Sequence, residues 1–389
     1  MRTLAVFHLS GYTGPQRSLV QAMTWLRERG SVEFLVPEPG PTADTYSPLG
    51  RVDVVGYSTL TYARGPVEGA RALRRLVRDV AAFRRELRRR RPHLVVVVTT
   101  ALPGLLIAAR LERIPAVVYA AELYGQAWKR APLLRFWGSL LAAATAVLSS
   151  GLVHCSRAVA RQFPKRPRRP SAIAYPPISD DYALGSRERG RARYGLADSD
   201  VCILAPGAVT RGRGQDVALR ALALLRQTLP SARLLIVGGV HPRAVDVEFA
   251  RELRDLARAL DVDHAAVFAD PTDEMADLYA AADVVVNPAR FAEPFGRVAP
   301  EALVAGRPVV ASRVGAIPEV IRDEVDGLLV EPDDPGALAA AVARLASDET
   351  LSARLVAKGR ERVAREFGYE QDLAAWSSVC ETVLAGRRV

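Results

Sequence analysis

The sequence predicts an α/β protein made of two doubly wound parallel-sheet domains. Three observations carry that reading. Short apolar runs alternate with longer amphipathic stretches along most of the chain, the pattern of strand–helix–strand units. The alternation runs through two successive sets, separated by Tyr175-Pro-Pro-Ile-Ser179, where paired prolines hold the chain extended. The length of 389 residues agrees, because single cores rarely grow past roughly 250–300 residues.

In the first set, strands are expected over 3–8, 32–36, 52–56, 94–98, 116–119 and 151–155. The run 94–98 is apolar throughout, as a parallel strand covered on both faces must be. Helices are expected between them over 17–29, 67–90, 102–111 and 133–148, where apolar residues recur at helical spacing. In the second set, strands are expected over 201–205, 233–237, 265–268, 284–287, 309–312 and 328–330. The intervening helices are expected over 215–227, 247–260, 275–281, 300–305 and 338–346. This gives domains over 1–177 and 178–368, followed by a terminal segment, 369–389, whose helix carries Trp376 and Leu384.

Composition excludes several classes. The five histidines form no ligand cluster, and Cys155, Cys202 and Cys380 lie far apart without C-x-x-C spacing, which argues for buried thiols over a disulfide or metal site. No secretory leader is legible, and the most apolar stretch, 140–153, is shorter than the ~20 residues that span a bilayer. A cytoplasmic protein is the expectation. Residues 1–177 hold 27 Lys and Arg against 10 Asp and Glu, a net of +17, whereas residues 178–389 net −7. The excess gathers in 84–91 and 165–169, a field suited to weak contact with anionic membrane at its inner face. A solvated helix face explains it equally well. Nucleic acid is not expected, because the basic runs lack interleaved aromatic residues.

The chemistry concentrates near Glu293-Pro-Phe-Gly-Arg-Val-Ala-Pro-Glu301, two carboxylates eight positions apart around a tight turn, with apolar strands on both sides. The order is strand, loop at the strand's carboxyl end, then helix N-terminus, the place where open parallel sheets bind ligands. Gly315-Ala-Ile-Pro-Glu319 and Gly327-Leu-Leu-Val330 follow in series. Together these motifs resemble the E-x7-E region of retaining, nucleotide-sugar-dependent glycosyltransferases of family four over about eighty residues. The resemblance implies the GT-B fold, two Rossmann-like domains facing across a cleft, with the C-terminal helix crossing back to the first domain. It also implies that a sugar passes from a nucleotide diphosphate, usually UDP or GDP, to an acceptor bound by the N-terminal domain.

The same resemblance assigns roles. Glu293 would meet the transferred sugar, Glu301 the ribose, and the Pro294-Phe295-Gly296-Arg297 turn would line the donor. Arg213, in Pro206-Gly207-Ala-Val-Thr-Arg-Gly-Arg-Gly-Gln-Asp216, stands where relatives carry the lysine that receives the leaving diphosphate. Ala208 stands where they carry an arginine, and Arg211 is the neighbour placed to compensate. Gly207, Gly238 and His241 would border the nucleotide, and Gly14, with Arg17 and Ser18 beside it, would approach its phosphates. Glu122 follows Ala121, where many relatives place a histidine near the acceptor. No metal or other cofactor is expected, because arginines stand in place of the cation. The D-x-D pair Asp261 and Asp263 ends a helix and reads as a surface turn. Two further readings fit the departures at Ala208 and Ala121: a nucleotide-sugar-binding protein without ordinary transfer, and a sugar-nucleotide 2-epimerase.

Overall fold

A computed structural model describes residues 1–9, 11, 16, 18–57, 66–124, 132–164 and 169–386, with backbone alone over 66–70 and 132–135. The chain divides into two compact units, Met1–Pro177 with Tyr369–Val389, and Ile178–Gly368.

The first unit is a seven-stranded sheet of β1 (Arg2–Phe7), β2 (Ser31–Val36), β3 (Arg51–Val54), β4 (Leu94–Val98), β5 (Ala116–Ala120), β6 (Gly151–His154) and β7 (Ser171–Ile173). Their order is β3-β2-β1-β4-β5-β6-β7, and every pairing is parallel. Register sets Ala5 of β1 beside Phe34 of β2 and Val96 of β4. All of β4 and β5 is buried, as apolar runs between two helical layers require. The Tyr369–Ala385 helix packs on β5, β6 and β7, with Trp376 against Tyr119 at 5.5 Å between ring centroids. Gly151 permits that approach: a Cβ there would lie 2.7 Å from Val379 and 2.9 Å from Val383.

The second unit is a six-stranded sheet of β8 (Val201–Pro206), β9 (Ala232–Val237), β10 (Ala266–Ala269), β11 (Val284–Asn287), β12 (Val309–Ser312) and β13 (Leu328–Val330). The order is β10-β9-β8-β11-β12-β13, again all parallel. Strand order reverses between β8 and β11. In open doubly wound sheets that reversal opens a crevice beyond the strands' carboxyl ends. The loops after β8 and β11 therefore hold the position to inspect.

Several elements were not anticipated, among them the short Arg157–Ala160, Arg187–Arg193 and Ile317–Val320 helices. The Pro41–Tyr46 helix and β7 are too short to show a period, and the Glu349–Glu366 helix buries only a sparse set, Leu351, Leu355, Gly359, Arg362 and Val363. Gly359 sits where this helix meets Leu303, and a Cβ would fall 2.5 Å from the leucine side chain. The expected helix over 17–29 is described as Val20–Glu28, and the strand over 52–56 as Arg51–Val54. The three cysteines are buried, and none of them forms a disulfide. Among the described residues no helix is long and apolar enough to cross a membrane.

Much of the basic run 84–91 is neutralised within the fold. Arg90 is bonded to Glu33, Asp53 and Glu86, Arg89 also pairs with Glu86, and Arg84 and Arg88 share Glu112. Arg85 and Arg91 are exposed. Of the second run only Arg169 is described, and it donates to the carbonyls of Val147 and Ser149. Residues 165–168 lie outside the described residues.

Asp372, in the terminal helix, is 1% exposed, and among the described residues neither carboxyl oxygen has a partner in good hydrogen-bond geometry, the Trp376 indole being its nearest donor. Burial pushes its carboxyl up to about 8, and the Trp376 indole one turn on draws it back only in part. The folded protein thus holds a proton that the unfolded chain releases near the ordinary aspartate value. Stability from this group is complete at acid pH, falls as pH rises toward 8, and is flat beyond. The slope approaches about 1.4 kcal/mol per pH unit in between. Asp372→Asn should flatten that dependence and unfold later than the parent at pH 8. Denaturant titrations from pH 5.5 to 9 measure it, and parallel curves for the two proteins would refute it.

Candidate active site

Glycine backbones bring the two switch-point loops together. Gly207, at φ +123°, follows β8 directly, and its carbonyl lies where a Cβ on Gly238 would come within 1.9 Å. The loops after β8 and β9 are further tied by Val209 N–H to the Gly239 carbonyl at 2.9 Å. Gly214, at φ +71°, caps the Gln215–Leu225 helix, and a Cβ there would lie 2.0 Å from the Pro288 carbonyl oxygen. No other residue allows both the left-handed turn and this approach.

The loop after β11 is pinned across that contact. Arg290 donates its backbone N–H to the Gly212 carbonyl at 2.8 Å. Its guanidinium forks onto both Asp216 oxygens at 2.6 and 2.7 Å and also reaches Asp333. Such planar two-point pairs fix orientation as well as charge. Three residues on, Glu293 is held by its main chain, whose carbonyl accepts from Ala316 N–H at 2.8 Å. Gly315, at φ +57°, makes room, since a Cβ there would lie 2.3 Å from the Glu293 carbonyl oxygen.

These supports place Arg213 against Glu293. Arg213 Nη1 donates to Glu293 Oε1 at 2.6 Å, with 29% and 5% of the two side chains exposed. Arg213 also lies 5.3 Å above the Phe291 ring. Glu293 Oε2 has no partner among the described residues. Gly296, at φ +87°, turns the chain beside it, 3.6 Å from Oε2 at its Cβ position. Phe295 is buried edge-on against Phe367 at 5.5 Å, and Pro294 is half-buried.

Glu301 lies in the Val298–Val304 helix, all seven residues of which are buried. Its Oε1 accepts from Arg297 Nε at 2.9 Å and its Oε2 from Tyr279 O–H at 2.8 Å. Arg297, expected to line the donor, is thus bonded to Glu301. Its burial pulls its pKa down, and Glu301 and Tyr182 together, through charge and hydrogen bonds, raise it by more. Tyr279 is wholly buried, with its phenol driven well above the ordinary range by burial and then by Glu301. Tyr182 stacks edge-on against it at 5.5 Å and is pushed upward by the same two causes. Neither tyrosine carries a motif, so nothing in the sequence singled them out.

The other expected residues are placed as follows. Arg211 points to Glu252 and lies over Phe249, so its charge is engaged on the Ala244–Ala259 helix. His241 is exposed in the loop after β9. In the first unit, Glu122 accepts from Thr99 Oγ1 at 2.6 Å, Thr100 Oγ1 at 3.3 Å and Ala121 N–H at 3.2 Å, bonds that tie the ends of β4 and β5 together. Ser18 is buried. Gly14 and Arg17 lie outside the described residues. Asp261 and Asp263 stand exposed with His264, and the His264 ring is bonded to Arg226.

The arrangement offers, within one unit, a cation and a carboxylate in direct contact, two glycine-lined strand ends and a second carboxylate on the next helix. It suits a ligand carrying both anionic and hydroxyl groups.

Residues 186–362, a span within the second unit, match the family model of glycosyl transferases group 1. The D-inositol 3-phosphate glycosyltransferase of Xylanimonas cellulosilytica is 37% identical over 206 residues, 52% of this chain and 47% of that protein. The enzyme of the same name from Acidothermus cellulolyticus is 37% identical over 211 residues, 52% and 46% of the two chains. The chain therefore spans about half the length of the curated relatives it matches. Among solved structures, Anabaena HepE in complex with UDP aligns with a TM-score of 0.79 at 20% identity, over 99% of this chain and 100% of that one. Sucrose-phosphate synthase from Thermosynechococcus elongatus aligns at 0.78 and 22%, over 99% and 100%. At those identities the likeness establishes the fold, the Rossmann-like pair of GT-B glycosyltransferases.

Arg213→Ala would strand the Glu293 carboxylate. Removing one partner of a fully buried pair costs about 3–5 kcal/mol. Arg213 is partly exposed, so a loss on the order of 1–3 kcal/mol is expected. Adding Glu293→Gln should recover most of it. Denaturant unfolding of both single variants and the double variant reads the coupling, and strictly additive losses would show that the pair contributes nothing.

Proposed function

We propose that the chain transfers a sugar from a nucleoside diphosphate to an acceptor hydroxyl, with retention of anomeric configuration and without a metal ion. The observation that carries this reading is the Arg213–Glu293 contact at the sheet's switch point, with Glu301 one helix further on. The group 1 family match over the same residues and the UDP named with the Anabaena neighbour support a nucleotide-sugar donor, UDP- or GDP-linked. In this reading Arg213 and the Gly207 loop receive the diphosphate, Glu293 Oε2 meets sugar hydroxyls, and Glu301 meets the ribose. The bond from anomeric carbon to phosphate oxygen breaks as the bond to the acceptor oxygen forms on the same face. The acceptor's proton passes to the departing phosphate oxygen. Preorganised positive charge at a developing oxyanion is the main catalytic term such a site can supply.

D-inositol 3-phosphate, the substrate in the relatives' name, is the first acceptor to test. A competing reading, a donor-binding protein without transfer, has one observation in its favour: Ala208 carries no charge and Arg211 is held by Glu252. Nucleotide release from UDP-, GDP-, ADP- and TDP-sugars separates the readings. Release unaffected by EDTA is expected for one donor class. Binding without release would favour the binder, and conversion of the sugar without release the epimerase.

Arg213→Ala should lower kcat by about a hundredfold to a thousandfold and raise the donor KM less, because interactions strengthened in the transition state act on turnover. Arg213→Lys should keep substantial activity, since a point charge still reaches phosphate. Near-parental turnover in Arg213→Ala would move the phosphate role elsewhere.

We also propose weak attachment of the first unit to the anionic, cytoplasmic face of a membrane. With much of 84–91 neutralised, the support shifts to the preceding turns of the same helix, where Arg71, Arg74 and Arg75 are exposed beside exposed Leu73 and Val77. Pelleting with anionic vesicles should weaken as salt rises and be minimal with neutral vesicles. Equal pelleting with both would overturn it.

A further inference from the structure

Glu301 does not stand alone. Each of its oxygens already accepts one bond, Oε1 from Arg297 Nε at 2.9 Å and Oε2 from the Tyr279 hydroxyl at 2.8 Å. Tyr182 is a further hydrogen-bond partner of Glu301, and because a carboxylate has about four lone-pair sites, part of its accepting capacity remains for a ligand. The two bonds also stop the carboxylate from rotating, because they hold its oxygens from two different elements. Arg297 precedes the Val298–Val304 helix, and Tyr279 belongs to the Met275–Ala281 helix. Tyr279 is 0% exposed and backed by Tyr182 edge-on, so its hydroxyl has a fixed direction. Glu301 itself is 6% exposed. What it offers a ligand is therefore remaining acceptor capacity held in a fixed direction, with its charge compensated by Arg297. A vicinal diol presents hydroxyl donors to such a group. Phosphate is disfavoured there, since a carboxylate repels it.

We propose that Tyr279 and Arg297 are positioning residues that orient Glu301 to recognise the ribose diol of the nucleotide. Neither touches the nucleotide, and both act through the carboxylate. This rests on the donor-site reading above. It adds that selection of a ribonucleotide over its deoxy form depends on a buried tyrosine hydroxyl outside the E-x7-E motif. It also means that Arg297 serves Glu301 and makes no contact with the diphosphate.

The test uses UDP, GDP and their 2′-deoxy forms, titrated calorimetrically into the full chain and into Tyr279→Phe and Arg297→Leu. The parent should prefer the ribonucleotide by about tenfold or more, the worth of a hydrogen bond to a charged group. Tyr279→Phe should bind that ribonucleotide about tenfold more weakly, leave its deoxy form nearly unchanged, and so lose most of the preference. With a sugar donor the same variant should raise KM with little change in kcat, a split that general loosening of the fold would not give. Arg297→Leu should lose the preference as well, and Arg297→Lys should recover part of it. These variants keep the test open should Tyr279→Phe fold poorly, which thermal unfolding would reveal. A parent that discriminates while both variants keep its ratio overturns the proposal and leaves the donor site standing. A parent that binds neither ribonucleotide, or binds without preferring it, overturns the ribose role of Glu301 and this proposal with it.

Discussion

Arg290 is the residue on which the site depends. It sits on the loop after β11, yet its backbone N–H, its fork onto Asp216 and its Nη1 contact with the Arg211 carbonyl all reach the loop after β8. Two loops from strands adjacent in the sheet but distant in sequence thereby behave as one rigid piece. The Arg213–Glu293 contact depends on that stitching, because Glu293 sits in a loop and Arg213 in a single 3-10 turn, neither anchored in a longer element. Without Arg290 the opposed ends of β8 and β11 would still form a crevice, but one with unplaced side chains.

Support continues outward from Glu293. Its carbonyl is held by Ala316, which leads into the Ile317–Val320 helix. The carbonyls of Glu319 and Val320, near that helix's end, accept from the largely buried Arg362 at 2.5 and 2.9 Å. Arg362 belongs to the Glu349–Glu366 helix, whose Gly359 lets it close on Leu303, beside Glu301. One helix thus braces both carboxylates, the first through a chain of backbone bonds and the second through packing. Coupled positioning of this kind is what a site needs when its reacting groups must stay within about half an ångström of working geometry.

The fold was legible because parallel strands covered on both faces must be largely apolar, as in Leu94–Val98 and, up to its last residue, Val309–Ser312. The Glu349–Glu366 helix was not, because close packing through Gly359 replaces the apolar side chain that a helical period requires. In the site, spacing exposed Glu293, Glu301 and Arg213, since their chemistry is tied to strand ends. Spacing could not reveal partners. Arg211 lies two positions from Arg213 in sequence but turns toward Glu252, and Glu122 proves to be enclosed by Thr99, Thr100 and its own loop. In a chain with 50 arginines, the residue type says little, and what each guanidinium touches says nearly everything.

That contrast has a chemical consequence. Arg211, Arg290 and Arg297 each answer a carboxylate outside the Arg213–Glu293 contact, so a ligand reaching them would have to displace a structural pair. Among the described residues Arg213 answers no carboxylate but Glu293, and Glu293 Oε2 has no partner. A simple anion could take Arg213, but it would leave the Glu293 charge uncompensated in a nearly dry position, which is unfavourable. A neutral polyol could bond to Glu293 but would compete poorly with the guanidinium. A molecule that brings phosphate oxygens to Arg213 and hydroxyl donors to Glu293 satisfies both at once. The contact therefore favours ligands in which anion and sugar are covalently joined over either half alone, and the covalent joint is the bond that transfer would break.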